Sequence, residues 1–290
     1  RARRGLAHLR AVQGRLQESG ELLDQAEELL NPEGDSRVRA GVLARSIELD
    51  TCAGRFGSAL RKAELLVDLV RRREMSERLA EAYGLLAETL LAIGDLEECH
   101  DAAHQALIFA RAHGARTWAS KLRAARILCF LERWDEVELA LPAPEDLPSN
   151  LVDDPAAQLA AIRARLYAQT NASRARDMAT WTMVRPPPLL SIRAARIAID
   201  TSLAFSAIGQ ADQARSAVKR GLKALQGPGG DGLRLELLIA MQIARPDPRV
   251  LSAAGQVADR VSIRLSPHAQ ILFRARPVIA EALAHIGSLG

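Results

Sequence analysis

The sequence repeats one pattern about every 40 residues, and this period constrains the fold more than any other feature. A glycine is followed by an apolar residue two positions later, a small residue five later and often another small residue twelve later. The pattern starts at Gly14, Gly54, Gly94 and Gly209, and in weaker form at Glu132 and Thr170. Successive spacings are 40, 40, 38, 38 and 39 residues. Such periods are typical of solenoids, in which each unit buries its apolar face against its neighbours.

Each position of the pattern suits a pair of helices joined by a tight turn. Segments with helical periodicity precede the glycines, as at 76–93 and 192–208, and predict the first helix of a pair. The glycine ends that helix, because the left-handed conformation just after a helix costs least at glycine. The small residues are expected on the second helix where the two axes approach. The pattern therefore predicts an all-α solenoid of about seven helix pairs.

Residues 83–106 carry the pattern most completely, at Tyr83, Leu86, Ala87, Leu90, Gly94, Leu96, Cys99 and Ala106. This segment resembles the tetratricopeptide (TPR) superfamily, and the resemblance extends over about residues 2–225. Arg3, Arg10 and Asp50 depart from it at positions that are usually apolar. The period exceeds the TPR value of 34 and is similar to that of MalT-like regions in bacterial signalling ATPases, LuxR-type regulators and kinase-linked proteins. The resemblance implies a right-handed α-α superhelix that binds proteins or peptides on a concave face.

The resemblance also implies which side chains lie on that concave face, which the first helices of the pairs would form. These are Arg4, His8, Glu48, Glu81, Glu88 and Arg126. Co-chaperone members of the superfamily bind a carboxylate with a Lys and an Asn four residues apart. The corresponding pairs here are Arg4/His8, Ala44/Glu48 and Gly84/Glu88. Chaperone-tail binding is therefore not expected, and the mixed charge favours a charged protein surface or peptide.

The charge is distributed unevenly along the chain, which has 39 basic and 35 acidic residues. Residues 1–150 carry a net charge of −4 and residues 151–290 a net charge of +8. We define a basic stripe on two predicted neighbouring helices, formed by Arg193, Arg196, Arg215, Lys219, Arg220 and Lys223. The stripe could be a solvated face, or it could meet an acidic protein or another domain of the same chain. Nucleic acid is not expected as a partner, and the aromatic content of only 3% argues against single-stranded nucleic acid in particular.

Proline- and glycine-rich segments interrupt the repeat without dividing the chain into separate domains. Residues 1–140 are predicted as regular repeats, 141–155 as a Pro/Asp-rich loop, and 156–290 as irregular repeats continuous with the first part. Arg185–Pro188 and Gly227–Gly232 are further breaks. The second formally matches a dinucleotide-binding GxGxxG, but a helix rather than a strand precedes it, so a loop is the preferred interpretation. Helical segments are predicted near 233–244, 248–264 and 267–286, the last kinked or split at Pro277.

The sequence contains almost no catalytic or cofactor-binding motifs, so we expect no enzymatic activity and no cofactor. Glu97, His100 and His104 have a metal-like spacing, but a solvated polar face is favoured over a zinc site. Three widely spaced cysteines are expected as buried thiols in a cytoplasmic protein. The chain begins in mid-pattern at Arg1, which suggests a piece of a longer bacterial signalling or transcriptional regulator. The sequence thus predicts an interaction and sensor scaffold. A receptor that binds a small ligand or peptide inside the superhelix is the alternative, and an enzyme without a recognisable motif comes third.

Overall fold

A computed structural model describes residues 2–13, 15–29, 35–148, 154–185, 188, 191–225 and 227–288. In these ranges the chain forms sixteen α-helices and no strand, so the prediction of an all-α fold is confirmed. The helices are α1 (Ala2–Val12), α2 (Leu16–Glu28), α3 (Ser36–Cys52), α4 (Phe56–Arg72), α5 (Ser76–Ile93), α6 (Leu96–Ala112), α7 (Trp118–Phe130), α8 (Trp134–Ala140), α9 (Pro155–Tyr167), α10 (Ala172–Val184), α11 (Ser191–Ala207), α12 (Ala211–Ala224), α13 (Asp231–Ala244), α14 (Pro248–Ser262), α15 (Pro267–Ala275) and α16 (Pro277–Gly287).

The repeat glycines occupy the turns between paired helices, as the sequence predicts. Gly54, Gly94 and Gly209 have φ angles of +74°, +100° and +74°. In the weakened fourth repeat, Glu132 takes the same place with a φ of +57°. An L-residue is strained in this conformation, whereas glycine adopts it freely. Gly14, the first glycine of the series, lies outside the described residues.

The small residues of the pattern lie where paired helices approach most closely. Cys99 is fully buried on α6, and its Sγ donates to the carbonyl oxygen of Ala87 on α5 at 3.2 Å. On α12, a Cβ added at Gly221 would lie 2.8 Å from the Cβ of Ala198 and 2.7 Å from Leu237. Even alanine is therefore too large at this crossing. The pattern thus encodes close packing of helices.

The odd-numbered helices from α3 to α13 form what we call the inner layer. Each of them contacts the next odd-numbered helix, and the even-numbered helices α2 to α12 pack against the odd-numbered helices before and after them. The inner layer also closes on itself, because α13 contacts α3. In addition, α11 contacts α1, and α15 contacts α5. Packing is therefore not confined to neighbouring repeats, and early and late helices meet directly.

The turns of the early repeats pack against the C-terminal part of the chain, and we call this line of contacts the seam. A Cβ added at Gly229 would lie 2.8 Å from the backbone nitrogen of Gln17, and the backbone of Gly232 lies against the end of α3. Farther along the seam, Arg276 Nη1 donates to the carbonyl oxygen of Ala92 at 2.9 Å. The segment that matches GxGxxG is thus a packed connection between α12 and α13, and its glycines permit close approach to α2 and α3.

The predicted interruptions have distinct outcomes. Pro277 begins α16 and separates it from α15, which confirms the predicted split. The helix before the proline-rich loop, α8, has only seven residues. Of the loop 141–155, residues 149–153 lie outside the described residues, as do Pro186 and Pro187 in the second break. Across the loop, α9 contacts α7. Within the described ranges, no helix is both long and apolar enough to cross a membrane.

Candidate functional site

Charged side chains from all six helices of the inner layer meet in one cluster, which we call the inner network. At its α3 side, the Glu48 carboxylate accepts hydrogen bonds from Arg45 Nη1 at 2.6 Å, Arg123 Nη2 at 2.6 Å and Arg193 Nη2 at 2.9 Å. The last of these hydrogen bonds joins residues that are 145 positions apart in the sequence. Its members are Arg45, Glu48, Glu88, Arg123, Arg126, Arg165, Arg193, Arg196, Asp200 and Glu236.

The Glu88 carboxylate is the centre of the network and lies between α7 and α11. It accepts from Arg123 Nε at 3.1 Å and pairs with Arg126 Nη1 at 3.8 Å. The oxygen that pairs with Arg126, Oε1, also pairs with Arg196 Nη2 on α11. The side chains of these four residues are nine-tenths buried or more. Glu88 therefore bridges three guanidiniums in a largely dry interior, where such pairs are strong when complete and costly when broken.

A second carboxylate, Asp200 on α11, completes the opposite side of the network. It accepts from Arg126 Nε at 3.0 Å and from Arg165 Nη1 at 3.0 Å. Arg126 Nη2 also donates to Glu236 on α13 at 3.3 Å. The guanidiniums of Arg126 and Arg165 lie over the ring of Phe130, 4.9 and 4.2 Å from its centroid. The aromatic face adds a cation–π attraction to the ion pairs.

The two buried glutamates are held in the ionised state. Burial alone would raise the pKa of Glu48, but the nearby guanidiniums outweigh it and lower the pKa well below the usual value of 4.5. The same balance of burial against guanidinium charge, led by Arg196, lowers the pKa of Glu88. Both carboxylates therefore remain charged partners over the physiological pH range.

Next to the network the structure contains an open, polar cavity of about 640 Å³. It is lined by α1, α3, α5, α7 and α11, and half-buried charged groups surround it. Arg45 Nη2 lies 3.2 Å from His8 Nδ1, and Arg78 Nη1 donates to Glu81 at 3.3 Å. Because Arg45 and Glu48 belong both to the cavity wall and to the inner network, the cavity joins solvent to the charged interior. We call this space the binding cavity, lined by Gly5, His8, Gly41, Ala44, Arg45, Glu48, Glu77, Arg78, Glu81, Thr117, Ala119, Ser120, Arg123 and Arg193.

A much smaller cavity of about 30 Å³, here called the arginine niche, lies deeper in the inner layer. It shares Ala119, Arg123 and Arg193 with the binding cavity. Its wall also contains Arg126 and Arg196, together with the apolar and polar residues Trp118, Leu122, Gln158, Ile162, Ile197, Glu88 and Asp200. The wall of the niche thus combines four arginine side chains with apolar residues and two carboxylates.

The residues predicted on the concave face fall into two groups. His8 and Glu81 line the binding cavity, and their role in recognition stays a prediction. Glu48, Glu88 and Arg126 are only 6–7% exposed and bind partners from neighbouring helices, so their placement on an open surface was wrong. The reason is the contact between early and late helices, which covers them. Arg4 belongs to α1, but its side chain lies outside the described residues.

The six cations of the basic stripe do not share one surface, so that interpretation was wrong. Arg193 and Arg196, on α11, pair with carboxylates of the inner network. The guanidinium of Arg220 donates to the carbonyl oxygens of Thr182, Met183 and Arg185 at the end of α10. Arg215 approaches Asp247 at 3.5 Å. Only Lys219 and Lys223 are exposed to solvent.

The histidines and cysteines form no metal centre in the described part of the chain. His100 Nε2 lies 3.2 Å from a Glu136 carboxylate oxygen, which links α6 to α8, whereas His104 and Glu97 are exposed. The prediction that all three cysteines are buried is confirmed, and each is a free thiol. No group of three His, Cys, Asp or Glu side chains in this part of the chain has metal-binding geometry.

Half of the inner network escaped the sequence analysis. Arg45, Arg123, Arg165, Asp200 and Glu236 were not singled out, although each directly follows an apolar residue in a helical segment. Such isolated charges on a buried face are the signal that could have identified them, because they are rarely buried without a partner. Their mutual pairing depends on contacts between distant helices and has no signature in the sequence.

Comparisons with known proteins do not assign the chain to a family. No family model matches it, and no curated protein matches it significantly.

Proposed function

We propose that the chain is a TPR-like interaction and sensor module of a bacterial signalling or transcriptional regulator, and that its helix pairs form a right-handed superhelix. In this proposal the binding cavity receives a charged segment of a partner protein, or of another domain of the same polypeptide. The repeat glycines in positive-φ turns and the small residues at helix crossings support the superfamily assignment. A rigid repeat scaffold that presents one recognition surface is the usual mode of action of such arrays.

The observation that carries this proposal is the open, polar binding cavity. Its walls bring together five helices and carry both signs of charge, with Arg45 and Arg78 near Glu77 and Glu81. These groups are half-buried or exposed, so a partner can reach them without breaking the core. A surface of this kind suits a peptide segment that carries charged side chains, because complementary charge gives specificity and faster association.

The volume of the cavity favours one second candidate, a receptor for a small charged ligand. Small-molecule sites commonly occupy about 300–1,000 Å³, and the binding cavity has about 640 Å³. However, such sites are mostly apolar, whereas this wall is rich in arginine and glutamate. The polar lining therefore favours a peptide over a small molecule, and any small ligand would have to be charged.

The test is selection of short random peptides by the wild-type chain, followed by affinity measurements on two matched variants. Ala119 is an exposed residue of the cavity wall on α7, so Ala119→Trp narrows the cavity with little change to the core. Ala280→Trp makes the same change at an exposed position of α16, outside the cavity. We expect selected peptides to bind Ala119→Trp about tenfold more weakly or worse, and Ala280→Trp as well as the wild type.

Two outcomes would contradict the proposal. Peptides that bind both variants equally would show that the cavity is not the recognition site. A failure to select any peptide, combined with a thermal shift produced by a small charged metabolite and abolished by Ala119→Trp, would favour the receptor instead.

A further inference from the structure

The inner network contains more positive than negative charge in its described residues. Six guanidiniums meet four carboxylates, and we leave Arg193 out of the count because it has further interactions. Five guanidiniums then remain against four carboxylates, an excess of one positive charge. Apart from Arg45 and Glu236, these side chains are nine-tenths buried or more. A buried charge without a counter-charge is expensive, so such an excess calls for an anion.

Arg196 is one guanidinium of the network that lacks a full set of partners. Its side chain is only 6% exposed, and its Nε has no hydrogen-bond partner in the described part of the structure. Burial lowers the pKa of Arg196, and repulsion from Arg193 acts in the same direction although Glu88 opposes both. A guanidinium in this position is stabilised by further negative charge nearby.

The arginine niche supplies the space for that charge. Its volume of about 30 Å³ exceeds the roughly 10–15 Å³ that one water molecule needs. Arg123 and Arg126 on α7 and Arg196 on α11 contribute to its wall. The niche is therefore small, rich in arginine, and next to the binding cavity, with which it shares Ala119, Arg123 and Arg193.

We propose that the arginine niche binds one compact monovalent anion, a halide ion or a carboxylate group, between α7 and α11. A single negative charge matches the excess of one in the network. Glu88 and Asp200 also line the niche and would repel a second negative charge, which disfavours phosphate and sulfate. The bound anion would hold the two helices together, because it relieves repulsion between guanidiniums from both. This proposal is independent of the identity of any protein partner.

The experiment measures chloride binding directly, by the broadening of the ³⁵Cl magnetic resonance signal in the presence of the protein. Sodium acetate and sodium sulfate are then added as competitors at constant ionic strength. We expect the protein to broaden the ³⁵Cl signal, and we expect sulfate to compete poorly with chloride for the site. Competition by acetate would show that the niche also accepts carboxylates, whereas its failure would identify a halide site. Both outcomes leave one monovalent anion in the niche.

Two variants change the charge of the network in opposite directions. Arg196→Met removes the excess charge, so the dissociation constant for chloride should rise about tenfold or more. Glu236→Gln raises the excess by one, and Arg126 keeps Asp200 and Glu88 as partners, so chloride should bind about threefold more tightly or better. The control is the double variant Lys219→Gln/Lys223→Gln, which removes two exposed positive charges and should bind chloride as the wild type does.

Three results would overturn the proposal. They are equal broadening in all four proteins, a parallel loss in the lysine control, and competition by sulfate as strong as that by chloride. Circular dichroism identifies a variant that fails to fold. If Arg196→Met does so, tighter binding by Glu236→Gln upholds the site, and unchanged binding by that variant rejects it.

Discussion

The direct contact between α13 and α3 leads to a sharp prediction for Gly232→Ala. Gly232 is the buried second residue of α13. A Cβ at this position would lie 2.9 Å from the backbone nitrogen of Gly54 and 3.0 Å from the carbonyl oxygen of Cys52, and closer still to that of Thr51. All three are backbone atoms at the end of α3 or in the turn that follows, so no side chain can rotate away. The substitution must therefore push α13 away from α3.

The expected change in the free energy of unfolding follows from two opposing contributions. Alanine in place of glycine within a helix stabilises it by about 0.5–1 kcal/mol. Overpacking a tight contact costs about 1–3 kcal/mol. Gly57 provides a matched control because it is also the second residue of its helix, α4. Its added Cβ would meet only Arg264 and Arg61, at 3.6 and 3.9 Å, which are ordinary contact distances.

The gain from replacing glycine by alanine in a helix is common to both variants. The difference between their free energies of unfolding therefore measures the cost of overpacking the contact between α13 and α3. We expect Gly57→Ala to be more stable than the wild type, and Gly232→Ala to be about 1–3 kcal/mol less stable than Gly57→Ala. Urea unfolding followed by circular dichroism measures both values. Faster hydrogen exchange at the end of α3 should accompany the loss. If Gly232→Ala were as stable as Gly57→Ala, the contact between α13 and α3 would be refuted.

Three further predictions concern the network, a strained turn and the thiols. The pKa values of Glu48 and Glu88 are lowered in the folded state, so their contribution to stability is present above about pH 4.5 and is lost as the pH falls through their folded-state values; urea midpoints that stay constant on acidification would contradict this. Glu132→Gly should stabilise the chain by about 1 kcal/mol, because glycine relieves the positive φ, and an unchanged urea midpoint would argue against strain in that turn. Burial raises the pKa of the thiols of Cys52, Cys99 and Cys129 to about 12. Alkylation of these thiols should therefore be slow in the native protein and faster in urea, whereas rapid labelling of the native protein would show that they are accessible.

The features that the sequence predicts correctly are local ones. Helix ends, turn glycines and small residues at crossings depend on residues within one helix pair, so their physical causes fit within one repeat. The segment 76–93 coincides with α5, and Pro277 divides the final helices for the reason expected of proline. Asp50 appeared to break the repeat pattern. The structure shows that it is buried and accepts from Ser58 at 2.8 Å and from Arg55 at 2.7 Å, so the departure is locally compensated.

The features that could not be predicted depend on contacts between residues that are far apart in the sequence. Whether α13 reaches α3 is decided by the sum of small rotations between successive pairs, and no single repeat contains that information. The same holds for Glu48 and Arg193, whose hydrogen bond spans 145 positions. Without this closure, inward-facing charges on the first helices would be solvent-exposed, and a concave recognition face would be the natural interpretation. With it, most of them become partners of one another.

This closure changes what a binding partner can use. A ligand too large for the arginine niche that enters the interior must compete with ion pairs already made by Glu88 and Arg126, and breaking a buried pair typically costs about 3–5 kcal/mol. The binding cavity avoids that cost, because the Arg78–Glu81 pair on its wall remains partly hydrated and contributes little by itself. Recognition should therefore rest on the cavity wall, with the network as a rigid base. Charge reversal at Glu81 should then alter binding far more than it alters folding.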